Sequence, residues 1–479
     1  MYCRLALALS LTLSVALPQT AAAQVGRIEV KQYENGGVYE GTFKDGLQHG
    51  QGTYRLPNGY EYTGAWVEGE ILGQGLAKFP DGSIYEGGFA KGQPDGFGRI
   101  AYPDGGSYEG NWVSGRKMGE GVVVYGDGTR YEGSFTDGQP NGTGTLVAPN
   151  GYRYDGAWVD GVKQGDGRIT YPDGSIYEGA MVQGKRAGQG RLVTAEGLEY
   201  DGTWDGGRIH GEGRLAQPNG DVYVGALVNG KREGQGRIEY AGGGAYDGGF
   251  RGDLRHGAGT YRGPDGYLYE GGWVDGRIEG TGTVTYPDGT VYTGSLLDGL
   301  AQGEGRIVYP DGATYTGGWE EGVMDGSGTA TYADGTVYEG GFRAGLPEGE
   351  GVMTYADGYT FTGTWQGGEP HGVGTAVYPD GATYEGGFVA GLRDGDGTLT
   401  RPDGFAYTGG WRSGQMHGEG TATYMTGDVY TGRFFEGQRQ GPGRIVYADG
   451  TEAEGLWEDG QIVREAAAAP QPDATATTE

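Results

Sequence analysis

A strict period of 23 residues constrains the fold of this chain more than any other feature. A Tyr-x-Gly motif begins at Tyr39 and recurs every 23 residues as far as Tyr430, with Phe361 in place of the tyrosine once. Four positions after each of these rings stands Phe, Trp, Met or Leu; eight of the nine Trp residues occupy that position, and Trp457 stands four positions after Ala453, which holds the last register. A Gly-x-Gly motif begins eleven positions after the ring in all eighteen complete repeats. Such regularity predicts an array of one small structural unit rather than a single large core.

The amino-acid composition agrees with an ordered array. Of the 479 residues 109 are glycine, a level that by itself suggests low complexity. However, the chain also has 36 Tyr, 9 Trp and 12 Phe, and a disordered segment contains few aromatic residues. Glycine does not recur at every third position, which excludes a collagen-like chain. The chain is therefore ordered by its 23-residue period.

Each repeat has the pattern of two short β-strands. If residues 108–112 are extended, alternate side chains point to opposite faces, so Tyr108, Gly110 and Trp112 share one face. Asp-Gly and Asn-Gly pairs, which favour hairpin turns, usually precede the Tyr-x-Gly motif. No segment has the spacing of an amphipathic helix. With neighbouring strands about 4.8 Å apart, two strands give about 10 Å per repeat, and the whole array is expected to extend on the order of 170–180 Å.

The regular glycines suggest a strand register. We expect Gly110 to lie opposite Gly121, and the matching glycines to pair in every repeat. On the polar face this register places acidic residues opposite arginines: Glu86 and Arg99, Asp155 and Arg168, Glu178 and Arg191, and Asp201 and Arg214. Opposite charges that face each other across two strands contribute about 0.2–1 kcal/mol. The polar face is either a strip that binds a ligand or a solvated face whose charges neutralise each other.

Repeats such as YEGGFAKGQPDGFGRIAYPDGGS, at residues 85–107, resemble the MORN repeat (membrane occupation and recognition nexus). The resemblance extends over residues 39–461, with departures at the second aromatic position at Met181, Leu227 and Leu296. It implies an all-β fold, an elongated, twisted, single-layer antiparallel sheet of β-hairpins built from about eighteen 23-residue repeats, with aromatic side chains along a groove-like face. It also implies a scaffold or partner-docking function with links to membranes, since members that are enzymes carry a separate catalytic domain.

The two ends of the chain differ from the array. Residues 1–23 have one basic residue, an apolar run and then three alanines, which is the layout of a secretory signal peptide. The apolar run has thirteen residues, whereas a membrane-spanning helix needs about 20. We therefore expect export, to the periplasm or out of the cell, and a mature chain without cysteine. Residues 24–38 resemble half a repeat, and the Ala- and Pro-rich residues 462–479 have the composition of a disordered tail.

Motifs that would indicate catalysis, a cofactor or a metal lack the neighbouring residues, the secondary structure or the spacing that such sites need. Residues 179–186 match G-x-x-x-x-G-K, but Arg186 stands where a phosphate-binding loop needs Ser or Thr, and no helix is predicted to follow. Five histidines share one repeat position and are interpreted as turn residues: His49, His210, His256, His371 and His417. The nearest of them are two repeats apart, about 20 Å, which is too far for a shared zinc ion. We predict no catalytic, cofactor or metal site and no enzymatic activity.

The net charge restricts the partners. The full chain has a formal net charge of −29, and loss of residues 1–23 with Arg4 changes it to −30. Such a chain repels phosphate backbones, so we expect no nucleic-acid partner. It also lacks the basic clusters that bind anionic lipids, which argues against direct binding to an anionic membrane. Unpaired strands at the ends of the array favour a homodimer or an end-to-end assembly.

The candidate partner-binding residues are aromatic side chains that follow the turn glycine in some repeats only: Tyr60, Tyr152, Tyr267, Tyr359 and Phe405. The Trp and Phe side chains at the second aromatic position either form the core or provide stacking surfaces for a linear ligand. The sequence predicts an exported, non-catalytic scaffold that binds a protein partner, whose identity it does not specify, in the cell envelope. The alternative is an envelope glycan-binding or membrane-associated protein that uses the aromatic face.

Overall fold

The computed structural model describes residues 26–465, which consist of β-strands and the turns between them. The chain divides after residue 211 into two compact units. The signal peptide predicted for residues 1–23 lies outside the described residues, as does everything beyond residue 465. Residues 26–465 contain no helix, so the all-β antiparallel class predicted from the sequence is confirmed.

Strands of seven residues alternate with strands of nine residues between β2 and β38. The first unit contains β1 (Glu29–Gln32), β2 (Val38–Lys44), β3 (Leu47–Arg55), β4 (Glu61–Val67), β5 (Glu70–Lys78), β6 (Ile84–Ala90), β7 (Gln93–Ala101), β8 (Ser107–Val113), β9 (Arg116–Val124), β10 (Arg130–Thr136), β11 (Gln139–Val147), β12 (Arg153–Val159), β13 (Val162–Thr170), β14 (Ile176–Val182), β15 (Lys185–Val193) and β16 (Glu199–Asp205), and β17 (Arg208–Ala216) contains the point of division.

The second unit contains β18 (Val222–Val228), β19 (Lys231–Glu239), β20 (Ala245–Arg251), β21 (Leu254–Arg262), β22 (Leu268–Val274), β23 (Arg277–Thr285), β24 (Val291–Leu297), β25 (Leu300–Val308), β26 (Thr314–Glu320), β27 (Val323–Thr331), β28 (Val337–Arg343), β29 (Leu346–Thr354), β30 (Thr360–Gln366), β31 (Glu369–Val377), β32 (Thr383–Val389), β33 (Leu392–Thr400), β34 (Ala406–Arg412), β35 (Gln415–Thr423), β36 (Val429–Phe435), β37 (Gln438–Val446), β38 (Glu452–Glu458) and β39 (Gln461–Glu465). β39 includes residues 462–465, which the sequence assigns to the tail.

Consecutive strands pair antiparallel within each unit, in the register that the glycines predict. Gly110 in β8 lies opposite Gly121 in β9. Three of the predicted acid–arginine pairs occupy opposite positions: Glu86 and Arg99, Asp155 and Arg168, and Glu178 and Arg191. Asp201 and Arg214 belong to different units, and their pairing stays a prediction.

A β-bulge in the seven-residue strands brings a backbone carbonyl to the core tyrosine. In β8 the register shifts between Gly110 and Trp112, so Asn111 is the extra residue. The Tyr108 hydroxyl donates a hydrogen bond to Asn111 O at 3.0 Å. The bulge therefore provides the hydrogen-bond partner that a buried tyrosine hydroxyl requires.

The core is a ladder of aromatic rings on one face of the sheet. The fully buried Tyr108 ring lies over the paired glycines, and a methyl group added at Gly121 would be 2.6 Å from Cε2 of that ring. Trp112 packs edge-on against Tyr108 and against Tyr85 of the preceding repeat, with ring centroids 5.2 Å apart in both cases. Its indole Nε1 donates to Gly98 O at 3.1 Å. Since an edge-to-face pair adds about 0.5–1.5 kcal/mol beyond its buried area, the ladder stabilises each repeat against the one before it.

Two kinds of turn connect the strands. Ser114 and Gly115 connect β8 to β9 with φ angles of 47° and 79°, the left-handed pair that is typical of a type I′ hairpin turn. Residues 102–106 connect β7 to β8, where Asp104 Oδ1 accepts a hydrogen bond from Gly106 N at 2.9 Å. The Asp-Gly pairs that precede the Tyr-x-Gly motif therefore lie in the turns that connect successive hairpins.

Candidate functional site: the aromatic face

Two rows of aromatic rings lie on the core side of the sheet, which we call the aromatic face. The inner row consists of the ring of the Tyr-x-Gly motif and the second ring of each repeat. All nine Trp side chains belong to it and are 2% to 7% exposed. A ring this deeply buried offers no open surface on which a sugar can stack. The Trp residues therefore form the core, and their interpretation as stacking surfaces for a ligand is wrong.

The second row, which we call the turn row, consists of aromatic residues that begin the connection between two hairpins. These rings are half-buried or exposed, and Tyr125, for example, is 42% exposed. The row contains Tyr33, Phe79, Tyr102, Tyr125, Tyr171, Tyr240, Tyr286, Tyr309, Tyr332, Tyr355, Tyr378, Tyr424 and Tyr447. None of them is among the predicted binding residues, although their recurring position directly before the turn, often before Pro-Asp-Gly, is a signal that the sequence carries.

The predicted binding residues extend the turn row. All are half-buried, and each ring packs against the turn-row ring 19 positions later. The ring pairs are Tyr60 with Phe79 (5.9 Å between centroids), Tyr152 with Tyr171 (6.1 Å), Tyr267 with Tyr286 (6.0 Å), Tyr359 with Tyr378 (5.2 Å) and Phe405 with Tyr424 (5.9 Å). Burial raises the pKa of Tyr359 to about 12. A role of these residues in partner binding stays a prediction.

Grooves lie on the aromatic face between the turn row and the hairpin turns. In the first unit, a groove of about 520 Å³ has Tyr102, Trp112 and Lys117 in its lining. In the second unit, two grooves of about 350 and 340 Å³ both include Arg255, and Tyr267 lines the smaller one. Each of these three grooves combines aromatic surface with a cationic side chain.

A row of cations lies over the inner rings. The second residue of the nine-residue strand is basic in seven repeats: Lys117, Lys163, Arg186, Arg232, Arg255, Arg393 and Arg439. The Lys117 ammonium is 4.8 Å from the centroid of the Tyr108 ring, and the Arg186 guanidinium is 4.0 Å from that of Trp204. Contacts of this kind contribute about 0.5–2 kcal/mol. Burial lowers the pKa of Lys117 and of Lys163, because desolvation disfavours the charged ammonium.

The opposite side of the sheet, which we call the polar face, neutralises its own charges. Arg168 forms an ion pair with Glu178 at 2.9 Å, across the strands β13 and β14. The partners differ from those predicted, because Asp155 pairs at 2.6 Å with Arg153 in its own strand rather than with Arg168. A long arginine reaches a carboxylate on either neighbouring strand or two positions along its own. This pattern matches the interpretation of a self-neutralising, solvated face.

The histidines and the G-x-x-x-x-G-K segment form neither a metal site nor a phosphate-binding loop in the described part of the chain. Within residues 26–465 no group of three or more His, Cys, Asp or Glu side chains is arranged to hold a metal ion. The histidines lie inside nine-residue strands, as His256 does in β21, so their assignment to turns is wrong. Lys185 of the G-x-x-x-x-G-K segment begins β15 and precedes no helix. Among the described residues no helix is long and apolar enough to cross a membrane.

Comparison with known families gives one extensive match. The family model of the MORN repeat matches eighteen segments, at residues 39–59, 62–84, 85–107, 108–130, 131–151, 154–176, 177–198, 200–222, 223–245, 246–266, 269–291, 292–314, 315–337, 338–358, 361–383, 384–405, 407–429 and 430–452. These segments cover more than half of the chain and coincide with the hairpins described above.

Individual relatives are similar over much shorter stretches. Alsin from Rattus norvegicus is 42% identical over 55 residues, which is 10% of this chain and 3% of alsin. Alsin from Homo sapiens is 38% identical over 55 residues, with the same shares of each chain. The chain thus spans about 3% of the length of these curated relatives.

The matches among solved structures have low TM-scores and low sequence identities. The TCP domain of SAS-4 from Drosophila melanogaster, in complex with a proline-rich motif of Ana2, gives a TM-score of 0.21 at 16% identity and covers 45% of this chain and 99% of that domain. The wild-type TCP10 domain of Danio rerio CPAP gives 0.11 at 13% identity, covering 60% of this chain and 93% of that domain. At such scores the likeness carries no argument about function.

Proposed function

The chain belongs to the MORN repeat family, and on this basis we propose that it is an exported, non-catalytic scaffold that binds a protein partner in the cell envelope. Export rests on the signal-peptide layout of residues 1–23. The absence of catalysis is proposed because each candidate motif lacks the residues or the secondary structure that its chemistry needs. The partner occupies the aromatic face.

The turn row is the observation that supports this proposal. The core needs the inner row, which is buried, whereas the turn row leaves half-exposed rings at a recurring spacing along the same face. Aromatic side chains with one open side are enriched at protein interfaces, because they contribute a large contact area at a small cost in conformational entropy. The grooves beside this row give a partner chain a place to lie against the rings.

A homodimer or an end-to-end assembly belongs to the same proposal. Among the described strands β1 pairs only with β2, so no described strand covers its other edge. Ile28 and Val30 beside this edge are exposed. An exposed edge strand with apolar side chains favours pairing with another chain. Light scattering at increasing protein concentration is expected to show a mass that rises above that of the monomer, and a constant monomer mass contradicts the assembly.

Site-specific photocrosslinking in living cells tests the binding face. A benzophenone amino acid replaces Tyr125 in the turn row, and in a matched control it replaces Phe97, which is an aromatic residue of the same unit that is 62% exposed on the polar face. We expect a small number of discrete adducts with envelope proteins from position 125 and none from position 97. Adducts of equal kind and yield from both positions contradict the proposal, as does their absence at Tyr125. Adducts with polysaccharide alone favour the glycan alternative.

A further inference from the structure

Two lysines on the aromatic face of the first unit have no charged partner. In residues 26–465 no carboxylate oxygen lies within 4.0 Å of the Lys117 or Lys163 ammonium, whereas polar-face arginines such as Arg168 and Arg191 each have one. Burial is the cause that lowers the pKa of both lysines, and no nearby carboxylate opposes it. Among the lysines of the described residues, Lys117 and Lys163 are the two that are half-buried, whereas the others are exposed.

The carboxylates that line the same groove already have partners. Asp137 is 2.9 Å from the guanidinium of Arg116. Asp81 accepts a hydrogen bond from Ser83 N at 2.9 Å. No carboxylate oxygen of this lining lies within 4.0 Å of the Lys117 ammonium, so Lys117 retains hydrogen-bond donors for a further acceptor in the 520 Å³ groove.

Lys163 is held in place by a predicted binding residue. Its Nζ donates a hydrogen bond to the Tyr152 hydroxyl at 2.5 Å and lies 4.5 Å from the centroid of that ring. The tyrosine is a neutral partner, so the charge of Lys163 is oriented but not neutralised. The ammonium group retains donors for a further acceptor.

The two lysines occupy the same strand position two repeats apart. Four strand spacings separate them, which is about 20 Å along the face. An extended polypeptide rises about 3.3 Å per residue, so six residues span this distance. Pro140 occupies the intervening position and adds apolar surface between the two charges.

We propose that the aromatic face of the first unit binds an extended segment of a partner protein that presents two carboxylates six residues apart, one to Lys117 and one to Lys163. This proposal rests on the proposed scaffold function. Apolar or aromatic side chains of the segment lie between the two carboxylates, over Pro140 and the turn-row ring of Tyr125. The two ion pairs set the register of the segment, because its carboxylates meet the lysines in one alignment only.

A densely charged polymer fits this face less well than a peptide. Pro140 separates the two lysines, and Arg186, the next cation of the row, is stacked on Trp204. The exposed turn carboxylates Asp127 and Asp173 both lie in connections between hairpins, at one edge of the first unit. A polyanion with a charge every few ångströms meets these carboxylates as well as the lysines and is repelled by the net charge of the chain. A peptide with two spaced acids avoids this repulsion.

Selection from a random peptide display library on the full chain tests the proposal. We expect the selected peptides to be enriched in pairs of Asp or Glu six positions apart, with aromatic or apolar residues between them. The variant Lys117→Met/Lys163→Met keeps the apolar stems over the rings and removes both charges. It is expected to raise the Kd of a selected peptide by about tenfold per lost charge-assisted contact. The matched control Lys78→Met/Lys185→Met removes two exposed lysines of the same unit and is expected to leave the Kd unchanged.

The outcomes separate this inference from the scaffold function. Peptides that bind the chain without spaced acids, or whose Kd is the same for the Lys117→Met/Lys163→Met variant, overturn the acidic-segment proposal and leave the scaffold function standing. A library from which no peptide is selected, together with the absence of crosslinks from Tyr125, overturns both. Tighter binding of soluble polyglutamate than of the spaced peptides also overturns the proposal. The unfolding temperatures of the variants establish that they are folded.

Discussion

The packing of a tyrosine ring over two paired glycines is the smallest contact that stabilises the fold of this protein. In the second unit the Tyr223 ring lies over Gly225 and Gly236, which face each other across β18 and β19. A methyl group added at Gly236 would be 2.5 Å from Cε2 of the ring. The ring is fully buried, so it cannot move aside without opening the core.

Replacement of Gly236 by alanine is expected to destabilise the second unit by about 1–3 kcal/mol, because it overpacks the core. Gly242 is a matched control six residues away, since a methyl group there meets no atom within 4 Å and its φ angle is not in the left-handed range. The midpoint of urea unfolding is expected to fall for Gly236→Ala and to stay close to the wild-type value for Gly242→Ala. Equal midpoints for the two variants contradict the ring-over-glycine packing.

Alkaline pH is expected to destabilise the protein, because it ionises the hydroxyl groups of the buried tyrosines. Burial raises the pKa of Tyr223 and of Tyr246 to about 12, whereas an unfolded tyrosine has a pKa of about 10. The unfolded chain therefore loses these protons first. The free energy of unfolding is expected to be insensitive to these groups below about pH 10 and to fall as the pH rises from about 10 to 12.

The variant Tyr223→Phe tests whether ionisation of the buried tyrosines causes the loss of stability above pH 10. Phe361 occupies the same position in another repeat, so the ring fits. The variant loses the hydrogen bond to Ala226 O at 2.8 Å and is expected to be about 0.5–1.5 kcal/mol less stable at neutral pH. Its unfolding midpoint is expected to fall less steeply than that of the wild type above pH 10. An unchanged slope shows that other groups dominate the alkaline transition.

At the scale of the element, each hairpin depends on the turn that joins it to the next. The turn carboxylates accept hydrogen bonds from the backbone two residues later, as Asp288 Oδ1 does from Thr290 N at 2.8 Å. Backbone and side-chain hydrogen bonds from Thr290 hold the pKa of Asp288 below its usual value. The same shift, with a hydrogen-bonded partner two residues later, occurs at Asp81, Asp127, Asp173, Asp334 and Asp449.

These turns are expected to make the protein sensitive to acid. A carboxyl group whose pKa is lower in the folded state stabilises the fold above its unfolded pKa of about 3.9, and this contribution disappears as the pH falls through the folded pKa. The urea midpoint is therefore expected to decrease below about pH 4. Asp288→Asn retains an acceptor without a titrating charge, so it is expected to reduce the dependence on pH, whereas Asp288→Ala is expected to lower the midpoint already at neutral pH. A wild-type midpoint for Asp288→Ala at neutral pH contradicts a stabilising role of the turn.

At the scale of the whole molecule, stability comes from contacts between successive repeats. Arg393 illustrates them in the second unit, since its guanidinium stacks 4.1 Å from the ring centroid of Trp411 and donates to Gly414 O at 2.9 Å. Both partners belong to the following repeat. In a repeat array each repeat contacts only the repeats next to it, so the contributions of such contacts to stability add up along the chain.

Replacement of Arg393 by methionine is expected to destabilise the second unit by about 1–2 kcal/mol, through loss of the cation–π contact and of the hydrogen bond. Arg412→Met is the matched control, because Arg412 is exposed in the adjacent strand and forms no ion pair with the described residues. The unfolding temperature is expected to fall for Arg393→Met and to remain unchanged for Arg412→Met. Equal effects on the unfolding temperature contradict a specific role of the stacked guanidinium.

The strand pattern, the glycine register and the shared face of the Tyr-x-Gly rings follow from the sequence alone. A period of 23 residues and the alternation of side chains along a strand are properties of the chain itself, and they place Gly110 opposite Gly121 without any knowledge of packing. The irregular aromatics, such as Tyr152, are also visible in the sequence as additions to the pattern.

The tertiary structure alone decided which charges are paired and which rings remain open. Asp155 pairs with Arg153 instead of the opposite Arg168, because the side chains of neighbouring and same-strand residues compete for it at short distance. The turn row stays half-exposed, and Lys117 and Lys163 have no carboxylate partner, because their surroundings are built by side chains from other strands and turns, such as Tyr102 beside Lys117 and Tyr152 beside Lys163. Spacing in the sequence defines the face on which a residue lies, whereas burial and charge pairing depend on which neighbours the folded sheet brings to that face.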